Sequence, residues 1–386
     1  MNSSFFSTQK KLGILGGGQL GKMLLQCTRT WDIYTKVLDP DKEAPSRLAC
    51  NEFQVGSLQD FETVYQFGKD CDIVTIEIEH VNVEALKKLK EEGILVHPDP
   101  HALEIINDKG LQKMFFKAND LPTSDFTFFE NKNDVLVSLE QGDITYPFVQ
   151  KSRKDGYDGR GVCIVNSEKD HAGLMDTSCL VEDKVDLKME IAIIASRNEQ
   201  GQIICFDAVA MDFVEGANML DLLLYPVEID SLLLAKAKQI ASTLITKLNI
   251  CGLSAVEFFI DKNDHLFINE IAPRPHNSGH QTIESSETSQ YEQHIRGILN
   301  LPLGSVKVKK PSAMVNLLGA EGYTGNVYYE NIEECMSHAG VHVHIYGKKQ
   351  TKPFRKMGHV TITHSSLDEA KKIAQWVKQT LIVKSL

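Results

Sequence analysis

Two glutamates near the middle of the chain are the first residues whose type and spacing suggest chemistry. The segment "GLSAVEFFIDKNDHLFINEIAP" has two apolar runs around a polar turn at Asp261 to Asp264, which predicts a β-hairpin. With that turn, Glu257 lies opposite Ile268 and Glu270 is the next residue on the same face, so the carboxylates are diagonal neighbours. Mg²⁺ shared with nucleotide phosphates would relieve their repulsion. The alternative is a pair of solvated acids on a strand face.

A loop rich in polar side chains follows the second glutamate directly. The stretch "APRPHNSGH" contains Arg274, His276, Asn277 and His280, and its two prolines stiffen the backbone. Arg is suited to a bidentate grip on an oxyanion. The position beside a candidate metal site predicts that the loop holds an anionic reactant. The alternative is a surface loop with hydrogen-bonded histidines.

A glycine turn near the start of the chain suggests a second site. In "LGILGGGQLGKML", Gly16, Gly18 and Gly21 fit the pattern G-x-G-x-x-G between an apolar strand and a helix, and Asp39 follows at the end of the next strand. This is the fingerprint of a dinucleotide-binding fold, in which glycine N–H groups approach a pyrophosphate and the acid binds a ribose. Taken alone, it indicates a nicotinamide-dependent oxidoreductase.

Two further stretches could bind phosphate. "KSRKDGYDGRG" is a glycine-rich turn between two predicted strands, with Lys151 at its entrance, and it lacks the G-K-[ST] ending of a Walker A loop. "GKKQTKPFRKMGH" is the densest basic stretch, and Lys348, Lys349 or Arg355 could bind a substrate phosphate. A plain turn and a solvated loop are the alternatives.

The elements that must position these residues follow from the periodicity of the chain. From residue 11 to about 100, the strands "KLGILGG", "YTKVLD", "CDIVTIEIEHV" and "GILVHPD" alternate with helices, which predicts a doubly wound parallel sheet. Next come a helix, "NDKGLQKMFFKAN", strands that flank the glycine-rich loop, and the long helix "SLLLAKAKQIASTLITKLN" before the hairpin. A final unit ends in a helix that we expect to open with a capping box, Ser366-x-x-Glu369.

Composition limits the class of protein. The chain has 386 residues, which predicts two or three domains, and its net charge of −11 without long runs of like charge argues against nucleic-acid or membrane partners. Its eight cysteines form no C-x-x-C pair, so a reducing, cytoplasmic location is expected. The N-terminus lacks the apolar segment of a signal peptide.

Taken together and in this order, the motifs resemble those of the ATP-grasp enzymes of purine biosynthesis, and among them the 5-(carboxyamino)imidazole ribonucleotide synthases. The resemblance runs from "GILGGGQLGKML" through "IEIEHV", "YDGRG" and "NEIAPRPHNSGH" to "RKMGH". It implies an α/β fold of ATP-grasp architecture: an N-terminal doubly wound substrate-binding domain (1–108), an antiparallel-sheet ATP-grasp domain (109–305, with a lid at about 118–186) and a small C-terminal α+β domain (306–386).

The resemblance also implies a role for each matching residue. Glu257 and Glu270 match the Mg²⁺ ligands, and Arg274, His276 and Asn277 match the residues that hold bicarbonate and carboxyphosphate. The matches for ATP binding are Lys109, Lys151, Gly156, Tyr157, Asp158, Gly159, Arg160, Gly161, Glu182, Asp183, Lys184, Val185, Glu190 and Asn269. Those for substrate binding are Gly18, Gln19, Leu20, Glu79, Tyr157, Asp158, Arg274, Lys348 and Arg355. On this interpretation the glycine turn binds the substrate ribonucleotide rather than a dinucleotide.

The implied reaction is carboxylation of the amine of 5-aminoimidazole ribonucleotide in two steps through carboxyphosphate. ATP and Mg²⁺, or Mn²⁺, are the implied cofactors, bicarbonate is a co-substrate, no biotin is needed, and a homodimer is expected. The alternatives are another ATP-grasp ligase with a different acceptor amine, an NAD-dependent oxidoreductase and a nucleotide-binding module without catalytic activity.

Overall fold

The N-terminal unit is a parallel sheet with helices on both faces. The computed structural model describes residues 9–154, 161–213 and 220–386. Its first sheet has five parallel strands in the order β3-β2-β1-β4-β5. The elements are β1 (Lys11–Leu15), α1 (Gln19–Thr30), β2 (Tyr34–Asp39), β3 (Glu52–Val55), α2 (Phe61–Gly68), β4 (Ile73–Ile76), α3 (Val83–Glu91), β5 (Leu95–His97) and α4 (Pro100–Ile106). The predicted doubly wound sheet is confirmed.

The apolar runs of β1, β2 and β4 form the centre of this sheet because both of its faces are covered by helices. The predicted strand "CDIVTIEIEHV" is too long, since β4 ends at Ile76. Beyond it, Glu77 turns toward the glycine turn and accepts a hydrogen bond from the Leu20 N–H. The short elements β3, α2 and α4 were not predicted, because their apolar periodicity spans too few residues.

A small antiparallel sheet forms the next unit. Helix α5 (Lys109–Ala118) leads into strands that pair in the order β6-β9-β7-β8. These elements are β6 (Phe126–Phe129), α6 (Lys132–Gln141), β7 (Phe148–Ser152), β8 (Val162–Val165), a 3₁₀ helix (Glu168–Gly173) and β9 (Cys179–Asp183). Val135 and Phe148 are fully buried in the separate core of this unit, which we call the lid.

Three of the twelve remaining strands that the structure describes pair separately in the last unit, and the other nine form an antiparallel sheet, the central sheet. Its strands follow the order β15-β14-β10-β12-β13-β16-β20-β18, and β11 pairs with β10. The first half comprises β10 (Leu187–Arg197), β11 (Ile203–Cys205), β12 (Val209–Phe213), β13 (Leu220–Tyr225), α7 (Ser231–Lys247), β14 (Gly252–Asp261) and β15 (Leu266–Ala272). Helix α7 packs on one face of β10 and β14 and forms the largest apolar core.

The central sheet continues into the C-terminal unit through the pairing of β13 with β16. The predicted boundary at residue 306 therefore separates two halves of one sheet. The remaining elements are a 3₁₀ helix (Asn277–Gly279), α8 (Thr282–Ser285), α9 (Gln290–Ile298), β16 (Ser312–Leu318), β17 (Gly325–Glu330), α10 (Ile332–Met336), β18 (Val341–Ile345), β19 (Gln350–Thr351), β20 (Lys356–Thr363), α11 (Leu367–Thr380) and β21 (Ile382–Ser385).

The last helix confirms one prediction and contradicts another. Ala370, Ala374 and Val377 of α11 are buried against the central sheet, as their helical spacing predicts. The expected capping box is wrong: Ser366 is the N-cap residue, but its side chain accepts no capping hydrogen bond. Over the described ranges, no helix combines the length and apolar character needed to cross a lipid bilayer.

Candidate active site

The predicted glutamate pair lies where the hairpin of β14 and β15 is irregular. Near the turn Phe258 is opposite Ile268, but farther along Glu257 is directly opposite Glu270. Asn269 is therefore an extra residue on β15, which makes a β-bulge. The predicted register, with Glu257 opposite Ile268, is wrong by one residue near the turn and by two residues at Glu257. The bulge rotates Glu270 onto the face of Glu257, so the carboxylates are neighbours directly across the strands rather than on a diagonal.

A third carboxylate shares this face of the central sheet. Ala192 of β10 is opposite Glu257, and Glu190 is opposite Phe259, which makes Glu190 and Glu257 diagonal neighbours. Residues of the other face, such as Ile191, are buried in the core with α7. The alternation along β10 and β14 thus buries the apolar side chains and lines the opposite face with acids.

Lys109, the first residue of α5, faces the acidic pair. Its Nζ lies 3.1 Å from Oε2 of Glu270 and, mainly through its charge, holds the pKa of Glu270 down to about 2. Burial, together with the charges of Glu270 and Glu190, raises the pKa of Glu257 well above its ordinary value. Side-chain exposure is 44% for Glu270, so the pair remains accessible from solvent. A divalent cation bound between the two adjacent carboxyl groups would relieve their repulsion.

A buried ion-pair network joins the lid to the acidic face. Glu182 of β9 accepts a hydrogen bond from Ser124 at 2.7 Å and contacts the ammonium groups of Lys113 at 3.1 Å and Lys151 at 3.2 Å. Burial alone would raise the pKa of Glu182, but the two lysines hold it below its ordinary value. Lys151 also donates to Oδ1 of Asn269, the bulge residue, at 2.9 Å. The network therefore links two strands of the lid to the edge of the hairpin.

The structure describes five of the other residues predicted for ATP binding. Burial raises the pKa of Glu190 to about 7. Asp183 ends β9, and Lys184 and Val185 form the connection between the lid and β10. Gly161 enters β8 with φ +75°, and its carbonyl accepts a hydrogen bond from the Ser152 N–H at 2.9 Å. Outside the described residues lie Gly156, Tyr157, Asp158, Gly159 and Arg160.

The loop after β15 brings its polar side chains to the same end of the hairpin. Nδ1 of His276 lies 3.8 Å from Oε1 of Glu257 and 2.9 Å from Oγ of Ser278. Nε of Arg274 donates to Oε2 of Glu79 at 2.8 Å, which ties the loop to the N-terminal unit. Oδ1 of Asn277 is buried and has no hydrogen-bond partner among the described residues. This loop therefore joins the acidic pair to the edge of the first sheet.

The glycine turn is occupied by the chain's own carboxylates. The Gly17 N–H donates to Oδ2 of Asp39 at 2.6 Å, and the Leu20 N–H donates to Oε1 of Glu77 at 3.1 Å. A Cβ on Gly18 would lie 2.5 Å from the Glu77 carboxylate, so the turn requires glycine for this close approach. Asp39 thus binds the turn itself instead of standing free for a cofactor ribose. Gly18, Gln19 and Leu20 remain at the N-terminus of α1, near Glu79.

The basic C-terminal stretch packs against the same helix α1. Nζ of Lys22 donates to the carbonyl of Ile345 at 2.8 Å. Lys349 pairs with Glu43 of the N-terminal unit at 2.5 Å, whereas Lys348 donates to the carbonyl of Lys356 at 2.9 Å. Both lysines therefore have partners within the protein.

Arg355 donates to the carbonyl of Gln350 at 2.7 Å, within the same stretch as Lys348. The contacts of Lys22 and Lys349 place the first and last units side by side.

Three residues of the site were not predicted. Lys113 lies one helical turn after Lys109, a spacing that puts both on one face of α5 and could have revealed it. Glu77 lies two residues before Glu79, a spacing that puts two side chains on the same face of a strand, so the prediction for Glu79 could have included it. Gln290 holds the loop after β15, and no local pattern identifies it.

Comparison with known proteins gives three matching domain families. They are a ribonucleotide synthetase preATP-grasp domain (residues 9–107), an ATP-grasp domain (114–291) and a phosphoribosylaminoimidazole carboxylase C-terminal domain (312–373). N5-carboxyaminoimidazole ribonucleotide synthase of Staphylococcus aureus (strain MRSA252) is 34% identical over 374 residues, which cover 96% of each chain. The chain belongs to the N5-carboxyaminoimidazole ribonucleotide synthase family. This confirms the resemblance seen in the sequence and the enzyme class, an ATP-dependent ligase that forms a carbon–nitrogen bond.

Solved structures of this family have the same fold. The synthetase from Thermotoga maritima superimposes with a TM-score of 0.90 at 39% identity and covers 98% of this chain and 100% of its own. The Aspergillus clavatus synthase, in complex with ADP and 5-aminoimidazole ribonucleotide, gives a TM-score of 0.87 at 30% identity, covering 97% and 99%. The predicted ATP-grasp architecture is therefore confirmed.

A plant relative is longer than this chain. Phosphoribosylaminoimidazole carboxylase of Vigna aconitifolia is 35% identical over 365 residues, which cover 92% of this chain and 64% of the relative.

The nicotinamide interpretation of the glycine turn is wrong, since the whole chain matches a ligase family and Asp39 is bound to the turn.

Proposed function

We propose that the chain carboxylates the amine of 5-aminoimidazole ribonucleotide, using ATP and bicarbonate and releasing ADP and phosphate. The observation that carries the proposal is the Glu257–Glu270 pair, which faces Lys109 on one side and the Arg274 to Asn277 loop on the other. A relative with this fold binds ADP and the same ribonucleotide. The acidic pair suits nucleotide-bound metal, and the loop suits an anionic reactant.

The pair fits Mg²⁺ better than a metal that needs a complete protein cage. Among residues 9–154, 161–213 and 220–386, no group of three or more His, Cys, Asp or Glu side chains could enclose a metal ion. Mg²⁺ commonly takes one or two carboxylates and completes its shell with phosphate and water, and Mn²⁺ can replace it. Glu257 and Glu270 would hold the ion, which when bound neutralises charge on the phosphates of ATP.

ATP would lie between the lid and the acidic face. Lys109 and Lys151 supply positive charge for its phosphates, and Asn269 lies beside them at the bulge. The backbone of Glu182 to Val185 would bind adenine, and Glu190 the ribose. The glycine loop from Gly156 to Gly161 would close over the phosphates and exclude water.

In the first step, an oxygen of bicarbonate attacks the γ-phosphorus of ATP, a new P–O bond forms, and the bond to the ADP oxygen breaks. The product is carboxyphosphate. Arg274 and His276 would hold the bicarbonate and the developing charge. Oδ1 of Asn277, which has no hydrogen-bond partner in the described part of the chain, is an acceptor suited to the O–H of bicarbonate or to an N–H of the substrate amine.

In the second step, carboxyphosphate breaks down locally to CO₂ and phosphate, and the amine of the ribonucleotide attacks the carbon and loses a proton. The ribonucleotide would be held by Gly18, Gln19 and Leu20 at the glycine turn, by Glu79 and Arg274 at the junction, by Tyr157 and Asp158 of the lid, and by Lys348 and Arg355 for its phosphate. Water must be excluded because carboxyphosphate is labile.

A test follows phosphate release from ATP and Mg²⁺ while the ribonucleotide and bicarbonate are each added or omitted. The proposal requires release to be stimulated by the ribonucleotide and its free amine to disappear only when bicarbonate is present. Turnover that ignores the ribonucleotide would indicate another acceptor amine. Absence of any ATP turnover would refute the ligase mechanism for this chain. A homodimer and a cytoplasmic location remain predictions, and light scattering would test the first.

A further inference from the structure

Gln290, the first residue of α9, makes an unusual set of contacts with the loop that follows β15. Its side chain is fully buried. Oε1 accepts the N–H of His276 at 2.9 Å, and Nε2 donates to the carbonyl of the same residue at 2.7 Å. Nε2 also lies 3.2 Å from Nδ1 of His280. One amide therefore holds the backbone of His276 on both sides and touches the last histidine of the loop.

The orientation of this amide is fixed by its partners. The His276 N–H can only donate, so the atom facing it is the oxygen of Gln290, and the atom facing the His276 carbonyl is the nitrogen. That nitrogen also lies within hydrogen-bond distance of Nδ1 of His280. The OH of Tyr291 lies 2.9 Å from the same Nδ1. Burial holds the pKa of His280 well below its ordinary value, so the ring is neutral.

The surrounding sequence is adapted to this contact. A Cβ on Gly279 would lie 2.3 Å from Oε1 of Gln290, so only glycine leaves space for the amide. The backbone N–H of Gln290 donates to Oγ1 of Thr282 at 2.9 Å, which fixes the start of α9 over the loop. An amide left unpaired at this depth would be destabilising, so the contact is well specified.

We propose that Gln290 is a positioning residue: it fixes His276 and Asn277 where they must hold carboxyphosphate. The inference rests on the proposed function, because it names the residue that aligns the loop of that same site. The two prolines stiffen the loop before His276, whereas the backbone after it is held by the Gln290 amide and by a local turn from the Gly279 N–H to the His276 carbonyl. Loss of the amide frees the segment that carries both polar side chains.

The expected consequence is loss of coupling rather than loss of ATP binding. Lys109, Lys151 and the acidic pair lie outside the loop that Gln290 holds, so ATP still binds, although its cleavage is slower because His276 also holds the bicarbonate of the first step. A loop displaced by about 1 Å can lower a rate by about 100-fold. Carboxyphosphate that is poorly held reacts with water, so phosphate release exceeds formation of the carboxylated ribonucleotide.

Gln293 provides a matched control on the same helix. It is also fully buried, and its amide holds one backbone residue in the same way: Nε2 donates to the carbonyl of Gly304 at 2.5 Å, and Oε1 accepts the Gly304 N–H at 3.1 Å. Gly304 is remote in sequence from the loop and carries no predicted site residue. Gln290→Met and Gln293→Met each remove one buried amide of the same size, so a purely structural effect is common to both.

The experiment measures phosphate and carboxylated ribonucleotide in parallel for the wild type, Gln290→Met and Gln293→Met. We expect a product-to-phosphate ratio at least about 10-fold lower in Gln290→Met, with the KM for ATP changed less than 3-fold. Gln293→Met should keep the wild-type ratio. Gln290→Glu keeps the acceptor for the His276 N–H and loses the donor to the His276 carbonyl. Its product-to-phosphate ratio should therefore lie between those of the wild type and Gln290→Met. If Gln290→Met does not fold, Gln290→Glu takes its place in the comparison.

A wild-type ratio in every folded Gln290 variant would overturn the inference, and so would an equal fall in Gln293→Met. Failure of the proposed function is a different result, since the wild type itself would then release no phosphate in response to the ribonucleotide.

Discussion

The replacement of Lys113 by Met tests the buried network of the lid. Lys113 donates to Oγ1 of Thr123 at 2.5 Å and to Oγ of Ser124 at 3.1 Å, and it contacts Glu182 at 3.1 Å. The side chains of Lys113 and Glu182 are 3% and 4% exposed, so neither charge is appreciably solvated. Burial lowers the pKa of Lys113 to about 8, although Glu182 opposes the shift. Lys113→Met keeps the volume of the side chain and removes the charge.

The expected loss of stability follows from the burial of the pair. Removing one partner of a buried ion pair costs about 3–5 kcal/mol when the other charge is left without compensation. Because Lys151 still compensates part of the charge of Glu182, we expect a loss near the lower limit, about 3 kcal/mol. For a unit of 150–250 residues, each kcal/mol lowers the Tm by about 2–4 °C, so the ATP-grasp transition should fall by about 6–12 °C. Lys151 should also move closer to Glu182, away from Asn269 and the phosphates of ATP. We therefore expect a higher KM for ATP.

Differential scanning calorimetry of a double-mutant cycle measures this coupling. The double variant with Glu182→Gln and Lys113→Met should have a free energy of unfolding about 1–3 kcal/mol higher than the sum of the two single effects predicts. Lys117 lies one turn further along α5 and is exposed, so Lys117→Met serves as the control and should change stability by less than about 0.5 kcal/mol. Additivity of the two network substitutions, within about 0.5 kcal/mol, would refute the idea that Lys113 neutralises Glu182.

Three other perturbations have expected outcomes. Glu270→Gln should lower ATP turnover by at least about 100-fold with an unchanged circular dichroism spectrum, and an active variant would contradict the metal assignment. Arg355→Ala should raise the KM for the ribonucleotide about 10- to 100-fold and leave that for ATP nearly unchanged; equal rises would move Arg355 out of the substrate site. Burial lowers the pKa of His294 to about 3, so between about pH 6.5 and pH 3 the unfolded chain binds a proton that the folded chain does not. The free energy of unfolding should therefore decrease as the pH falls through this range, by up to about 1.4 kcal/mol per pH unit. Urea denaturation at pH 7.5 and 5.5 should show a smaller loss for His294→Gln than for the wild type, and equal losses would show that His294 is not held neutral.

Local patterns predicted the elements that carry the site because each has a long or strongly periodic sequence. The parallel sheet, the long helix α7 and the β14–β15 hairpin were all predicted. The register of the hairpin was not predicted, because the turn runs from Asp261 to His265 rather than to Asp264, and Asn269 adds a β-bulge that no local pattern indicates. The acidic pair was still found, since both registers bring Glu257 and Glu270 together.

Residues that act through long-range contacts escaped prediction. Gln290 is one amide in a helix, and its role depends on a loop ten residues or more earlier in the chain. Ser366 and Glu369 match the capping-box pattern, yet the N-cap hydroxyl is not used. The glycine turn fits a dinucleotide site by pattern, but Asp39 and Glu77 reach its N–H groups from the ends of neighbouring strands. Sequence patterns describe the loop and not the groups that other strands bring to it.

The central claim is that the chain forms a carbon–nitrogen bond between bicarbonate carbon and the ribonucleotide amine. The most direct measurement is NMR spectroscopy of the reaction with ¹³C-bicarbonate and a ribonucleotide labelled with ¹⁵N at its amine. We expect a new ¹³C carboxylate resonance, split by one-bond coupling to ¹⁵N, that appears only when ATP and Mg²⁺ are present. Phosphate release from ATP without any ¹³C–¹⁵N coupled product would contradict the claim.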